Sequence, residues 1–168
     1  MNNERLIAIV TGLTQGAATV QENATPLTFV VPASALTSVC SALQSHPEVY
    51  ADRLVCITGI DNGPESGTME VLYHLDGITT GLQLALKVII DRTSPAVPSL
   101  CNLWKSADWL ERETYDMYGI LFTGHPDLRR ILLPADWEGH PLRKDHVVQE
   151  TYHGVTVSAE PLNPPSGS

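Results

Sequence analysis

Residues 69–90 read MEVLYHLDGITTGLQLALKVII, two apolar-rich runs divided by a Gly-containing turn. In the second run Leu82, Leu84, Leu86, Val88 and Ile90 fall on one side of an extended chain, while Gln83 and Lys87 fall on the other. That is the pattern of a strand with one buried face. Ahead of these runs, RLVCITGI (53–60) reads as a buried strand closed by the turn cluster Asp61-Asn62-Gly63-Pro64, and LTFVV (27–31) as another strand. Pro32 opens a helix to about Ser45, because a proline's missing N–H has no helical partner in the first turn. Leu6, Ile7, Ile9, Val10 and Leu13 suit a short amphipathic helix over 3–14, closed by Gly12 and Gly16. Together these elements predict an α+β fold, two layers deep. A mostly antiparallel or mixed sheet of four to five strands is covered by helices on one face and followed by a long irregular C-terminal segment.

From residue 93 the texture changes. Pro95 and Pro98 break the chain, a helical turn is expected around 99–104, and a helix follows over about 106–118. Ser106 is its expected N-cap, Asp108 adds charge to its first turn, and Gly119 supplies the position just past its end. Leu110, Thr114, Met117 and Leu121 recur at helical spacing, which predicts a buried face. Asp108/Arg112 and Arg112/Asp116, each four apart, predict ladders on the solvent side. Residues 122–157 have little periodicity, and irregular segments of that length inside a compact protein commonly lie along a partner. The expected layout is a core over 1–104, a signature helix and docking segment over 105–157, and a mobile tail, SAEPLNPPSGS, over 158–168.

The composition narrows the function. A chain of 168 residues with 43% hydrophobic and 17% charged residues fits one globular domain. A net charge of −9 argues against nucleic acid, whose binding needs clustered Lys and Arg. Six of the ten Lys and Arg lie between 105 and 146, but eight acids share that window, so its charges pair with one another or with a protein. Cys40, Cys56 and Cys101 lack the close spacing of a zinc or iron–sulfur site and read as core residues of a reducing compartment. The apolar run 6–10 follows Glu4 and ends at Thr11-Gly12, which argues against a cleaved signal, and no window is apolar enough to span a membrane.

The stretch ERETYDMYGILFTGHPDLRRILLP (111–134) is the densest in charge. Glu111, Glu113, Asp116, His125, Asp127 and His140 offer carboxylates and imidazoles to a metal, but Glu111 and Glu113 diverge by about 200° around a helix. No His-x-x-x-His or Asp-x-Asp set is present. No Gly-x-Ser-x-Gly elbow or phosphate loop occurs, and the cysteines lie outside this region in sequence. Taken singly, each charge reads as part of a solvated face. Their density beside unpatterned chain points to an interface.

WLERETYDMYGILFTGHPDLRRILLP, followed by DWEGHPLRKD (136–145), resembles the signature of the C subunit of the proton-pumping NADH:quinone oxidoreductase, respiratory complex I. Glu111, Arg112, Glu113, Asp116, Met117, Gly119, Ile120, Gly124 to Arg130, and Pro141 to Asp145 fill matching positions. Tyr73-His74-Leu75 and the segment from Trp104 to Trp109 also look familial. Tyr118 stands where Phe is common, and His146-Val147-Val148-Gln149 replaces the usual aromatic and proline.

The resemblance implies a cofactor-free member of the hydrophilic arm that docks on the large D subunit, with the B, I and G subunits as neighbours. FMN and iron–sulfur clusters would belong to those partner chains, and the complex would sit peripherally on the cytoplasmic side of the inner membrane. No catalytic, cofactor or metal residue is expected in this chain. The expected docking set is Glu111, Arg112, Glu113, Asp116, His125, Asp127, Arg129, Arg130, Arg143, Lys144 and Asp145. An equivalent component of a ferredoxin-linked or membrane-bound hydrogenase complex is the alternative, and a metal-dependent enzyme using 111–116 is a remote one.

Overall fold

In a computed structural model, residues 3–157 are described. The tail expected over 158–168 lies outside them. Helix α1 (Asn3–Leu13) is followed by strands β1 (Thr19–Gln21) and β2 (Leu27–Val30), then a 3-10 turn (Ala33–Ala35) leading into α2 (Leu36–Ser45). Strands β3 (Arg53–Asp61), β4 (Thr68–Gly77) and β5 (Leu82–Asp91) come next, then β6 (Ala96–Pro98), helix α3 (Ala107–Tyr118) and β7 (Leu121–Thr123). A two-residue ladder, β8 (Thr151–Tyr152) and β9 (Val155–Thr156), closes the described chain.

The main sheet has the order β1-β2-β5-β4-β3. β3, β4 and β5 form the antiparallel meander that alternation predicts, but β2 runs parallel to β5, which makes the sheet mixed. β1 and the parallel pair β6/β7 have no counterpart in the periodicity, because each strand is too short to show a period.

One face of the sheet holds the core. Val71, Tyr73 and Leu75 of β4 and Leu84, Leu86 and Val88 of β5 are fully buried. They form one cluster with Leu6 and Val10 of α1 and Leu36, Val39, Cys40 and Leu43 of α2. Each large side chain so buried contributes roughly 1.5–3 kcal/mol. The opposite face is open, with Val55, Ile60 and Ile89 exposed. β3 is therefore not a strand buried on both faces; its side chains alternate between core and solvent. Of the cysteines only Cys40 is buried, Cys56 and Cys101 being partly exposed.

Helix α3 packs on β3. Ser106 stands at its N-cap, as expected, but makes no side-chain capping bond: its hydroxyl donates instead to the carbonyl of Leu54 at 3.0 Å, stapling the helix start to β3. Gly119 ends the helix in the left-handed region, with φ of 72°. At the other end of the contact the Tyr118 ring lies against Gly59, where an added Cβ would stand 2.6 Å from the ring.

Replacing Gly59 by Ala should therefore lower the unfolding free energy in urea by about 1–3 kcal/mol, the usual cost of overpacking. Gly12→Ala in α1, where an added Cβ meets nothing within 4 Å, should instead stabilise by about 0.5–1 kcal/mol.

A candidate partner interface built on buried charges

The charged face of α3 does not look into solvent. Glu111 and Asp116 are 0% exposed and Arg112 is 7% exposed, because the irregular arm after Thr123 covers Arg112 and Asp116 and the turn before the helix covers Glu111. The expected apolar face is only partly formed: Thr114 is buried, Leu110 and Met117 are half-buried, and Leu121 is exposed. Neither expected ladder forms. Glu111, Arg112 and Asp116 are instead satisfied by the arm or by the turn that precedes the helix.

Asp116 is the centre of this arrangement. Its Oδ2 accepts the consecutive main-chain N–H groups of Ile131, Leu132 and Leu133 at 3.0, 2.8 and 2.9 Å, and its Oδ1 takes Arg130 Nη1 at 2.7 Å. Three successive N–H groups aimed at one oxygen form an anion-binding concavity. Arg130 also donates through Nη2 to the carbonyls of Trp137 and Gly139 at 3.0 and 2.8 Å, fastening the next turn of the arm. The carbonyl of Asp116 lies 3.0 Å from His140 Nδ1. A carbonyl only accepts, so this contact places the proton on Nδ1, and burial lowers the pKa of that imidazole.

Arg112 gives its hydrogen bonds to main chain, donating to the carbonyls of Arg129 and Arg130 at 3.3 and 3.5 Å, while its guanidinium lies 5.3 Å from the Trp109 ring centre. Arg143 Nε donates to the carbonyl of Tyr118 at 2.7 Å. On the other side of the helix, Glu111 accepts the Leu100 N–H and the Ser99 hydroxyl, each at 2.7 Å, and so holds the turn before α3.

A second clamp escapes linear reading. Asp61, at the end of β3, accepts a two-pronged bond from Arg92 at 2.7 and 3.0 Å and the main-chain N–H of Lys144 at 2.8 Å. Arg92 also holds Asp145. The Arg92 guanidinium keeps the Asp61 carboxyl far below the usual carboxylate range. The two residues are 31 positions apart, and nothing in their spacing marks them as partners. Sheet register alone brings the ends of β3 and β5 together.

Chemistry gains little from this geometry. Cys101 Sγ, Glu111 and His125 present ligand atoms within 4.8 Å of one another, so Cys101 does reach the charged region, contrary to its place in sequence. However, His125 Nδ1 accepts the Asp127 N–H at 3.0 Å, which puts its proton on Nε2, 3.2 Å from the Asp108 carbonyl. Neither ring nitrogen has a free lone pair for a metal. Burial pushes the Cys101 thiol up to about 11, too high for a ready nucleophile. Glu113 is exposed while Glu111 is buried, so the acids of α3 do not converge. Among the expected docking residues, Glu113, Asp127, Arg129, Lys144 and Asp145 are exposed, and Asp127 and Arg129 pair with each other at 2.8 Å.

The family described as "Respiratory-chain NADH dehydrogenase, 30 Kd subunit" matches residues 29–152, from within β2 through the rest of the sheet, α3 and nearly all of the arm. The chain belongs to that family. Its relatives include the NADH-quinone oxidoreductase C subunit of Chlorobium phaeobacteroides, 46% identical over 68% of this chain and 69% of that protein. The Chloroherpeton thalassium C subunit is 43% identical over 79% of this chain, which spans 55% of that relative's length. Among solved structures, a trypsin-resistant fragment of Nqo5 superposes with a TM-score of 0.58 at 29% identity, over 76% of this chain and all of that one. A chain of an archaeal membrane-bound sulfane sulfur reductase shares the fold, with a TM-score of 0.69 at 23% identity over 84% of each chain. The family match thus includes the residues that fasten the arm to α3.

The protonation states of the buried acids give a test. Burial raises the pKa of Asp116, but the N–H groups of Leu133, Ile131 and Leu132 together with Arg130 outweigh it, so the net shift is downward. A carboxyl lowered on folding adds stability above its unfolded pKa, about 3.9, and loses it as pH falls through the folded value. Glu111, raised chiefly by burial, has the opposite sign: it favours folding at low pH, and that contribution fades as pH rises through its folded pKa. Asp116→Asn should accordingly flatten the loss of stability below about pH 4 in urea melts. Asp116→Ala should cost about 3–5 kcal/mol at pH 7, because it leaves the half-buried Arg130 and three main-chain N–H groups without their carboxylate.

Proposed function

We propose that this chain is a cofactor-free structural component of the hydrophilic arm of a proton-translocating NADH:quinone oxidoreductase, docked on the large D subunit. The B, I and G subunits are its further neighbours, and FMN and the iron–sulfur clusters reside in partner chains. The complex holds it peripherally on the cytoplasmic side of the membrane. No helix among the described residues is long and apolar enough to cross a membrane. The observation that carries the reading is the family match over residues 29–152, which takes in the arm as well as the sheet.

The surface chemistry supports a docking role. Along α3 and the arm, Trp109, Leu132, Leu142, Val147 and Val148 are all exposed, interleaved with the charges of Arg129, Lys144 and Asp127. Apolar anchors rimmed by charge are the composition of a protein interface. The buried and half-buried members of the set, Glu111, Arg112, Asp116, His125, Arg130 and Arg143, act one step back: they fix the arm in the shape that the partner meets. Three cysteines in three separate segments, one of them buried in α2, also suit a chain that carries no cluster of its own.

A tagged chain recovered from detergent-solubilised membranes should bring with it the large D subunit and the NADH-oxidising flavin subunit. Recovery by itself would overturn the proposal. Recovery with a hydrogenase-type or ferredoxin-linked assembly lacking the flavin subunit would favour the alternative complex. The double variant Arg129→Glu/Lys144→Glu should reduce co-purification several-fold. The unfolding free energy of the isolated chain should stay within about 0.5 kcal/mol, as is usual for surface positions.

A further inference from the structure

The two edges of the main sheet are unlike. β1 is a three-residue strand, too short to template anything, whereas β3 is a nine-residue edge. From Leu54 to Ile60 it has no Pro, no Lys and no other charge to protect an exposed edge, and its one register shift, between Leu54 and Cys56, lies ahead of Ile57. The direction of its free groups follows from the ladder. Asn62 N–H donates to the Thr68 carbonyl at 3.2 Å, which makes that pair a hydrogen-bonded one. Counting back along the register, Ile60↔Glu70, Thr58↔Leu72 and Cys56↔His74 are bonded pairs too. Ile57 and Gly59 therefore turn their N–H and C=O groups away from β4.

Among the described residues no hydrogen bond reaches the backbone of Ile57 or Gly59 from the outer side. The flanks are occupied: the Leu54 carbonyl takes the Ser106 hydroxyl, and Asp61 is covered by Lys144. Between them lies a groove of about 230 Å³ whose floor is Cys56 to Gly59 and whose wall is Glu113, Met117, Tyr118 and Leu142. Leu142 is half exposed there, and Glu113 has no ion pair among the described residues.

We propose that the free edge of β3 at Ile57 and Gly59 accepts an extended segment of a partner protein as a sixth strand, with a Lys or Arg of that segment meeting Glu113. The inference rests on the assembly reading above and names where part of that docking occurs. Main-chain bonds to a sheet edge supply affinity, and alternate side chains in flanking pockets supply specificity. Here those pockets are the apolar wall of Met117 and Leu142 and the single carboxylate of Glu113. The chain's own residues 158–168 are poorly suited, since Pro161, Pro164 and Pro165 lack the N–H groups that a ladder needs. A second copy is disfavoured by charge, because each chain carries −9 and its own Glu113 beside the groove.

Residue-resolved hydrogen exchange on the isolated chain and on the purified complex tests this. In the isolated chain the amides of Ile57 and Gly59 should exchange freely while those of Thr58 and Ile60, bonded to β4, are slow. In the complex Ile57 and Gly59 should slow at least about 100-fold. Glu113→Arg should lower recovery of the chain in the complex about tenfold. If the chain is recovered in the complex and both amides still exchange freely, this inference fails and the assembly reading stands. If the chain enters no complex, both fail. Protection already present in the isolated chain would assign the edge to residues 158–168 or, where dilution abolishes it, to a second copy, and either result overturns the proposal.

Discussion

The arm after β7 depends on one buried carboxylate. Asp116 is wholly removed from solvent, and its two oxygens take three main-chain N–H groups and one guanidinium. A carboxylate in that position is costly unless its lone pairs are filled, and the groups that fill them come from the arm. The helix thus requires the arm as much as the arm requires the helix. Arg130 extends the same logic by turning its remaining donors to the carbonyls of Trp137 and Gly139. A segment with almost no regular structure is thereby given a defined path without a hydrophobic core of its own.

The Asp61–Arg92–Asp145 clamp does the same at the far end, tying the arm to the tips of β3 and β5. Two fixed points hold the stretch from Arg130 to Asp145 against the domain. Its exposed apolar residues, Leu132 and Leu142 among them, are then presented as part of a shaped surface instead of a loose loop. A preformed surface loses less entropy on binding than one that must order itself, which suits the docking role proposed for it.

How much of this is legible in the sequence depends on the range of each interaction. β4 and β5 are legible because a period of two is written into neighbouring residues, and α3 because Gly119 marks its end. The parallel pairing of β2 with β5 is not, since it follows from a crossover and not from any local pattern. The charges of α3 mislead for a clear reason. On a helix alone, Glu111, Arg112 and Asp116 belong in water, and their burial is tolerable because Ser99, Leu100, the N–H groups of Ile131 to Leu133, the Arg130 guanidinium and the carbonyls of Arg129 and Arg130 satisfy them. The family resemblance names the docking residues while leaving their direction open. Six of them, Glu111, Arg112, Asp116, His125, Arg130 and Arg143, turn inward against the helix, the arm and the turn before α3, and the five exposed ones, with Trp109, Leu132 and Leu142, form the outer surface.

The arm is fastened by its own charges before any partner arrives. Hydrogen exchange at Ile131, Leu132 and Leu133 in the isolated chain measures it most directly. These three amides should be protected to nearly the same free energy as the amides of β4 and β5, and should lose that protection together with them. Exchange at these positions as fast as in an unstructured peptide, while the sheet stays protected, would show that the arm is ordered only by the complex and would contradict the account.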